Sequence, residues 1–573
     1  MDLKEIQETE IWRLFEKGRD YHRRTGIYTD TDRNYRMYNG DQWEGVKLGD
    51  VEPIQKNFIR PIVRYKVAVV HANLYGIVYK STNYESQKFR QVAERVCKML
   101  NRFAANVYEA NGMDQKGRRV TKDAAINDEG IFYVDWDVKE KTAVIEIIKK
   151  NDVYYGNEND DDIQRQPYIL IRKRLPQSEA IELARSLGMA AEKEEYIVPD
   201  NDTSEESGDA AKEEVDDMVT VVYKFYKKKG TVHVAVATRL AEIVADKSMG
   251  IDMYPVAHMV WEEKEGSSRG EGEVRYLIPN QIEVNKTLTR RAITVKKQAY
   301  PLTVVDKNKV QNVEAVGRVG AVIETKGSTI DDVRKVIGTI PPAQMSPDVA
   351  QLETELVQMS RELAGAGEFA TGQAKPSTAS GRAVLAIQQA SEAPMSEQRE
   401  SFKALLEDVA KILLAYLIAH SANGIQLEEE VKNPMTGETT VQIVPVPQDV
   451  LKRIRATVAI DITPKSAYDK FAQEQTLENY LTAGMFNPQK LGELKAYAKV
   501  LDDDAVTPKR KLLEVIEEME MQQQQIAKIQ MQAKLMQQRA MQFLSRDPKS
   551  QASQIVNTQR QLAAQPQMGQ ATA

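Results

Sequence analysis

The residues most suggestive of chemistry form a small glycine cluster, Gly365, Gly367 and Gly372, of the kind that can cradle phosphate groups. A phosphate-binding loop needs a preceding strand and a following Gly-Lys-Ser or Gly-Lys-Thr, so that backbone N–H groups and a lysine surround the phosphates. Neither feature is present around these glycines. The sequence therefore favours a loop of small residues here over a nucleotide site.

Metal-binding residues are the next possibility. None of the histidines forms the His-x-x-x-His or His-x-x-Glu-His pair that holds zinc. The carboxylate-rich run 157–162 lacks the glycine and the final glutamate of a calcium hand, so we expect a turn there. We predict no metal site, and we expect core or surface roles for the histidines. They are His22, His71, His233, His258 and His420.

Covalent catalysis is not predicted either. No Gly-x-Ser-x-Gly elbow is present, and the spacing pairs no nucleophile with an adjacent base. The single cysteine, Cys97, lies in a helical pattern with Val96 and Leu100, which favours a buried structural thiol. We therefore predict no catalytic residue, no cofactor and no enzyme activity.

Length and charge limit the class of protein. A chain of 573 residues has room for three or four domains, and 78 basic against 84 acidic residues give a formal charge of −6. That balance argues against a protein that grips nucleic acid through a strongly basic surface. Apolar runs such as 67–70 are far shorter than the roughly 18 residues of a membrane span, and the N-terminus is no signal peptide. We expect a soluble protein that is cytoplasmic when made.

The elements that would position any functional residues lie between residues 273 and 421. A first helix is expected to begin at Pro279, because proline at the first helical position loses no needed donor, and to continue to Gln298. A β-rich excursion follows, with short β-like runs at 302–306 and 321–324. The first helix is basic. Its cationic residues are Lys286, Arg290, Arg291, Lys296 and Lys297.

A second helix is predicted after the excursion, with Ser346 as N-cap and Pro347 at the first helical position. It is acidic, which suggests pairing with the basic first helix. Apolar residues recur along it at spacings of three and four, and this predicts a packing face. The members of that face are Val349, Leu352, Leu356, Met359 and Leu363.

A long helix is predicted beyond a loop of small residues. The loop covers 364–379, and its glycines favour a mobile segment. From Ser380 a helical pattern continues to about Ser421, and Pro394 should kink it. Its second half carries an apolar stripe. The stripe consists of Phe402, Leu405, Leu406, Val409, Ile412, Leu413, Tyr416 and Leu417.

The flanking regions predict an α+β domain and a helical tail. Helices are expected within residues 1–30, at 57–78 and at 86–108, with a turn at Asn39-Gly40. The acidic segment 190–217 should be a disordered insertion. Predicted strands are 130–137 and 142–149, which form a hairpin, then 168–174, 219–227, 231–237, 254–262, 441–446 and 457–462. Predicted tail helices are 467–482, 488–500 and 508–544, the last rich in Gln and Met.

Three short motifs occur in a specific order: Tyr38-Asn-Gly-Asp-Gln-Trp43, Ile278-Pro-Asn-Gln-Ile-Glu-Val-Asn285 and Thr378-Ala-Ser-Gly-Arg-Ala-Val-Leu385. With the order of basic helix, β excursion, second helix, loop and long helix, they make the chain resemble the portal proteins of tailed double-stranded DNA phages. The resemblance covers about residues 20–500. It implies an α+β, multi-domain portal architecture that assembles as a homo-oligomeric ring with a central channel, usually of twelve subunits.

The resemblance also implies a division of the chain into portal domains. The wing comprises 1–272, with a disordered acidic insertion at 190–218, and the long kinked helix and returning wing strands comprise 381–465. The stem helices are 273–299 and 346–363, the clip 300–345, the tunnel loop 364–380, the helical crown 466–545 and a disordered tail 546–573. Tunnel-loop residues implied to line the channel are Gly365, Gly367, Glu368, Phe369, Thr371, Gly372 and Lys375.

The implied place of such a protein is the portal vertex of the virion capsid, after assembly in the host cytoplasm. Implied partners are double-stranded DNA in the channel, a terminase packaging ATPase, the major capsid and scaffolding proteins, and a head-tail adaptor at the clip, with no membrane. Twelve chains would carry 12 × (−6) = −72, so we expect weak, non-specific contact with DNA. Two alternatives stay open at this point: another virion structural protein such as a tail-tube adaptor, and an enzyme of unrecognised type.

Overall fold

The structure is a computed structural model. It divides into two units, Met1–Thr463 and Pro464–Ala573, of which the first is mixed helix and sheet, as the α+β prediction requires. The residues that it describes are 7–43, 52–82, 86–200, 217–299, 302–316, 318, 320–326, 336–340, 348–365, 393–421, 424–432, 439–454, 456–464, 515–516, 519, 526 and 529–539.

Two helices open the first unit, α1 (Glu10–Thr25) and α2 (Ile27–Asn39). Gly26 separates them and Gly40 ends α2, both with positive φ, which a glycine adopts without a Cβ clash. The turn predicted at Asn39-Gly40 is therefore confirmed.

The helix predicted over 57–78 is wrong in its second half. Helix α3 (Ile59–Val70) ends early, and the chain continues as strand β1 (Asn73–Ser81). Aromatic and β-branched residues such as Tyr75, Ile77 and Tyr79 favour an extended chain. The strand pairs with β14 (Ala456–Pro464), nearly 400 residues later, and so distant a partner is invisible to local periodicity.

Helix α4 (Gln87–Ala110) confirms the prediction for 86–108, and the Ser86 hydroxyl caps it by accepting from the Phe89 N–H. Cys97 is buried on this helix, and burial raises the pKa of its thiol to about 11. The predicted structural thiol is confirmed. Helix α5 (Met113–Ile126) follows, and the sequence reasoning missed it.

Two antiparallel sheets complete the α+β part. Strands β2 (Glu129–Asp137) and β3 (Thr142–Ile148) form the predicted hairpin, with β9 (Val256–Val260) on the other edge of β2. The run 168–174 is a strand, but it does not extend this hairpin. It belongs to a second, five-stranded sheet. In spatial order that sheet consists of β4 (Val153–Tyr155), β5 (Tyr168–Pro176), β6 (Met218–Lys228), β7 (Thr231–Ala237) and β8 (Glu242–Ser248).

The acidic insertion predicted at 190–218 is wrong in its first part. After helix α6 (Gln177–Ser186), residues Ala191–Tyr196 form a 3₁₀ helix and the Ile197 side chain is fully buried. Asp200 accepts hydrogen bonds from the Thr220 N–H at 2.7 Å and from Arg174. Averaged composition hides such single anchoring residues. Residues 201–216 lie outside the described ranges.

Helix α7 (Glu273–Ala299) corrects the expected start at Pro279, because the helix begins six residues earlier and Pro279 lies inside it. Since proline lacks an N–H, the carbonyl of Arg275 receives no bond from this position. The start is fixed instead by Glu273, whose buried carboxylate pairs with Lys66 at 2.5 Å.

In the excursion, β10 (Leu302–Val305) pairs with β11 (Ile337–Ile340) in antiparallel register. The run 302–306 is confirmed. The strand expected at 321–324 is wrong, because these residues have no strand assignment and the nearest β contact is an isolated bridge between Val310 and Thr325. Among the described residues, no strand pairs with this stretch.

Helix α8 (Asp348–Leu363) confirms the second helix, while its expected capping residues Ser346 and Pro347 lie outside the described ranges. Pro394 lies in a 3₁₀ turn, Ala393–Met395, after which helix α9 (Ser396–His420) begins. The described chain thus starts a new helix at this proline. All eight predicted stripe residues of α9 are buried in the main core.

The end of the first unit returns to the core, as predicted. Strands β12 (Ile425–Lys432) and β13 (Thr439–Val446) form a hairpin, followed by helix α10 (Gln448–Ile454) and β14. Of these, β12 and α10 were not predicted.

In the second unit, residues 529–539 are helical, which agrees with the helix expected over 508–544. The other tail helices and residues 546–573 are not among the described ranges. Within those ranges, no helix is both long enough and apolar enough to cross a lipid bilayer.

Candidate functional site

The two central helices, α7 and α8, pack against each other in one chain. Glu353 of α8 is buried and accepts from Arg291 of α7 at 2.8 Å and from Lys56 at 3.0 Å. Asn280 of α7 donates to Ser360 of α8 at 2.9 Å. The predicted pairing of a basic and an acidic helix therefore has one charged contact at its centre, supported by a buried polar one.

Two other basic residues of α7 pair within their own helix. Lys286 and Arg290 lie 3.8 Å and 3.5 Å from Glu283, and the side chains of Lys286, Arg290 and Glu283 are 47%, 67% and 42% exposed. Lys296 is exposed one turn before the helix ends, whereas the side chain of Lys297 is not described. The exposed face of α7 is therefore basic.

Three polar side chains of α7 hold an extended segment, residues 54–58, which we call the strap. The Thr289 hydroxyl accepts from the Ile54 N–H at 3.2 Å, and the Asn285 amide oxygen accepts from the Lys56 N–H at 3.1 Å. The Gln281 amide oxygen accepts from the Phe58 N–H at 3.0 Å, and its Nε2 donates to the Lys56 carbonyl at 2.9 Å.

This pairing depends on a match between two periodicities. Residues 281, 285 and 289 are four apart on a helix, which gives a rise of about 6.0 Å per step. Alternate residues of an extended chain are about 6.6 Å apart. A helix face with an amide or hydroxyl every fourth residue can therefore bond every second backbone N–H of the strap.

The strap joins two of the motifs identified in the sequence. Asn285, in the second motif, donates to the Gln42 side chain of the first motif at 2.6 Å. From the strap itself, Asn57 donates to the Tyr38 carbonyl at 3.0 Å. Sequence reasoning missed this contact, although the four-residue spacing of Gln281, Asn285 and Thr289 was a visible signal. The third motif, 378–385, lies outside the described ranges.

Helix α8 has two different faces. Toward α7 and the core it buries Glu353, Val357, Ser360 and Ala364, again at steps of three and four. The predicted packing face is a different one. Val349 and Leu356 are half-buried, whereas Leu352, Met359 and Leu363 are 45%, 47% and 78% exposed. We call these last three the outer stripe of α8.

Acidic side chains lie beside the outer stripe. Glu355 and Glu362 are exposed and accept from Gln351 at 2.7 Å and Gln358 at 2.9 Å, each one helical turn earlier. The outward face of α8 is thus apolar and negative, while that of α7 is positive.

The predicted tunnel loop begins where α8 ends. Gly365 has φ +64°, and its N–H donates to the Glu362 carbonyl at 3.0 Å, a left-handed helix end that suits glycine. The other candidate loop residues lie outside the described ranges. They are Gly367, Glu368, Phe369, Thr371, Gly372 and Lys375.

A buried ionic cluster holds the α+β part together. The Arg269 guanidinium pairs with Glu129 and with Glu158, at 2.9 Å to the latter, and donates to the Val153 carbonyl at 2.9 Å. Burial is the largest influence and raises the pKa of both carboxylates, but Arg269 and the hydrogen bonds with His258 and His22 together lower the pKa of each to about 2. A single arginine therefore joins strands β2 and β4 to the turn after β4.

Two histidines belong to this cluster, as core residues. Burial lowers the pKa of His22 to about 4, and its Nε2 accepts from the Arg269 guanidinium at 3.0 Å. His258 bonds Glu129 at 2.8 Å. The predicted turn at 157–162 is confirmed and supplies Glu158. Among the residues that the structure describes, no His, Cys, Asp and Glu side chains are grouped so as to hold a metal ion.

A family model described as "Phage P22-like portal protein" matches residues 15–573, nearly the whole chain. No curated protein matches the chain.

Proposed function

This chain belongs to the phage P22-like portal protein family, and we propose that it forms the ring at the capsid vertex through which genomic DNA is packaged and ejected. Family membership makes it a virion head-tail connector of the DNA-packaging apparatus, and rings of twelve are typical of the family. The further proposals concern which parts of this chain build the ring and the channel.

The observation that carries the ring proposal is the difference between the outward faces of α7 and α8. Arg290 and Lys296 are exposed on α7, and Glu355 and Glu362 are exposed on α8. A contact between the α8 face of one subunit and the α7 face of the next is heterologous, and such contacts close into a ring when the rotation permits. The two helices would then be the stem.

Apolar contact should supply most of the stability of this interface. Exposed ion pairs contribute only about 0–1 kcal/mol each. Burial of one Leu or Met side chain contributes about 1.5–3 kcal/mol. The outer stripe of α8 is therefore proposed as the main stem contact, and the charges as the feature that sets its direction.

The remaining domains follow the order of the chain. We assign the clip to 300–345, as the site for the packaging ATPase and then the head-tail adaptor, and the wing to the α+β part with 381–465. The crown would begin at 466. The wing would meet the major capsid and scaffolding proteins. Since the sequence has no phosphate-binding motif, the energy for packaging should come from the separate ATPase.

The charge balance suits a conduit that does not hold its cargo. Each cation that neutralises a DNA phosphate strengthens binding and steepens its salt dependence. On α7, Arg291 is paired with Glu353, and Lys286 and Arg290 lie near Glu283. Neighbouring carboxylates thus offset part of the stem charge, and translocating DNA would meet few strong contacts.

Deleting residues 366–379 is the experiment that tests the channel proposal. If this loop lines the narrowest part of the channel, rings should form normally while packaging or retention of DNA fails. Ring formation is measured by light scattering, and packaging by the amount of nuclease-protected DNA in assembled capsids.

The control for this deletion is a second deletion, in a part of the sequence that is not assigned to the stem. Deletion of 201–212, in the acidic insertion, should leave both ring formation and packaging unchanged. Normal packaging by the 366–379 deletion would show that this loop is not at the gate.

A further inference from the structure

A basic cleft lies on the α+β part between α3 and α5, two helices that also pack against α7. Its volume is ≈ 390 Å³. Four cationic side chains line it: Arg64 from α3, and Arg118, Arg119 and Lys122 from α5. Tyr38 and the half-buried Val67 supply aromatic and aliphatic surface to the same cleft.

Within the described ranges none of these four cations forms a salt bridge. The charges of Arg119 and Lys122 act on the neighbouring Asp123, whose carboxylate accepts a hydrogen bond from the Tyr35 hydroxyl. Arg118 and Lys122 are four residues apart on one helix, an arrangement in which like charges repel. Such a cluster in a chain of net charge −6 costs stability unless an anion fills the cleft.

The walls of the cleft are well held. The His71 ring lies 2.9 Å from the Thr121 hydroxyl, which ties α3 to α5, and it contacts Phe402 of α9 at a centroid distance of 4.6 Å. The Arg60 guanidinium lies over the Tyr38 ring, 5.9 Å from its centroid. The site is therefore a fixed concavity between packed helices.

We propose that this cleft binds an acidic peptide segment of a partner protein. Carboxylates of the segment would pair with Arg64, Arg118 and Lys122, and an apolar side chain would cover Val67 and Tyr38. Guanidinium groups bind carboxylates through two parallel hydrogen bonds, which gives both affinity and orientation.

An acidic peptide fits the cleft better than nucleic acid does. A duplex carries a negative charge about every 1.7 Å along its axis and would extend beyond the cleft. There it would meet the surface of a net acidic chain. Its phosphate backbone also offers no apolar group to cover Val67. A short peptide can concentrate both its charges and its apolar contact within the cleft.

Fluorescence anisotropy on the full-length protein tests this inference. The probe is a labelled synthetic peptide with Glu and Leu at helical spacing, and a second peptide carries Gln in place of every Glu. The cleft variant is Arg118→Glu with Lys122→Glu. Its matched control is Arg13→Glu with Lys17→Glu, which reverses two exposed cations at the same spacing on α1.

The cleft variant should bind the acidic peptide at least about tenfold more weakly, because two attractions become repulsions. The control variant should bind it like the unaltered protein, and binding should weaken between about 0.05 and 0.3 M salt. A short DNA duplex should bind weakly and compete poorly.

Three results would overturn the proposal: equal peptide affinity in the two variants, equal affinity for the Glu and Gln peptides, or a duplex that displaces the peptide at lower concentration than the unlabelled peptide does. The cleft would bind such a segment whether or not the chain forms a ring. Light scattering on the same samples therefore separates failure of this proposal from failure of the ring proposal.

Discussion

Replacing Leu352 and Met359 by aspartate is expected to leave folded single subunits in place of rings. Both residues belong to the outer stripe of α8 and are about half exposed in the single chain, so the fold should tolerate the change. At a subunit interface the same change removes apolar burial of about 1.5–3 kcal/mol per residue. It also leaves a desolvated charge unless water enters.

The expected effect on each subunit contact is a loss of roughly 3–6 kcal/mol, or more than a hundredfold in affinity. Light scattering measures the mass of the assembly, and circular dichroism checks that the subunit is folded. Leu356 is a poorer target, because it packs partly against the core of its own chain.

The matched control keeps the same positions apolar. Leu352→Met with Met359→Leu conserves volume and polarity, and such swaps usually cost less than about 1.5 kcal/mol. This variant should form rings. Intact rings in the aspartate variant would reject the outer stripe of α8 as the stem contact.

Replacing Arg269 by methionine is expected to lower the free energy of unfolding by about 3–5 kcal/mol, because it leaves Glu129 and Glu158 buried without their cation. Breaking a buried ion pair on one side is more costly than removing both partners. Urea unfolding at neutral pH, followed by circular dichroism, measures the change.

The pH dependence of this effect has a defined sign. In the unaltered protein the pKa of Glu129 and of Glu158 is about 2, below the ordinary 4.5. The stabilisation that these two ionised carboxylates contribute to the folded state is therefore present above about pH 4.5 and is lost as pH falls toward 2. Burial likewise lowers the pKa of His22 from 6.5 to about 4. The stabilisation contributed by the neutral His22 ring is therefore present above about pH 6.5 and is lost as pH falls from 6.5 to about 4. The stability difference between the protein and Arg269→Met should shrink below about pH 4.5.

Two further variants separate charge from packing. Arg275→Met removes an exposed arginine paired with Glu271 at 3.3 Å, and should cost less than about 1 kcal/mol. Arg269→Met combined with Glu129→Gln and Glu158→Gln should recover part of the loss, because no buried charge is left unpaired. Equal effects of Arg269→Met and Arg275→Met would contradict the structural role of the cluster.

The parts of the fold that the sequence predicts well have strong local patterns. The α9 stripe repeats at helical spacing and is buried at every predicted position, from Phe402 to Leu417. The hairpin of β2 and β3 alternates around a charged turn. In α9 the burial follows the local periodicity, whereas β2 is buried on both faces over residues 129–134.

The errors occur where a distant partner decides the structure. The helix predicted over 57–78 includes the first part of strand β1. Local periodicity does not reveal the strand, because its partner β14 is nearly 400 residues away. Helix α7 starts before Pro279 because Lys66 pairs with Glu273. Residues 191–200 were expected to be disordered because of their acidic composition. They have a defined structure because Ile197 is buried and Asp200 pairs with Arg174 of the five-stranded sheet.

For the candidate site, the sequence predicts the helices and their charges but not their faces. Periodicity finds apolar residues on α8 without distinguishing a face that meets the same chain from one that meets another. Glu353, one of several acidic residues, is buried because Arg291 and Lys56 both reach it. The hydrogen bonds of Gln281, Asn285 and Thr289 to the strap join residues 223 to 235 positions apart, which no local pattern predicts.

Electron microscopy of the purified, negatively stained protein tests the central claim most directly. We expect class averages of a closed ring, with twelve subunits in the form found in the virion, and with an axial hole wide enough for a DNA duplex. The Leu352→Asp/Met359→Asp protein imaged beside it should show only small single particles. Images of the unaltered protein without a ring, or with a ring that has no axial hole, would contradict the portal function proposed for this chain.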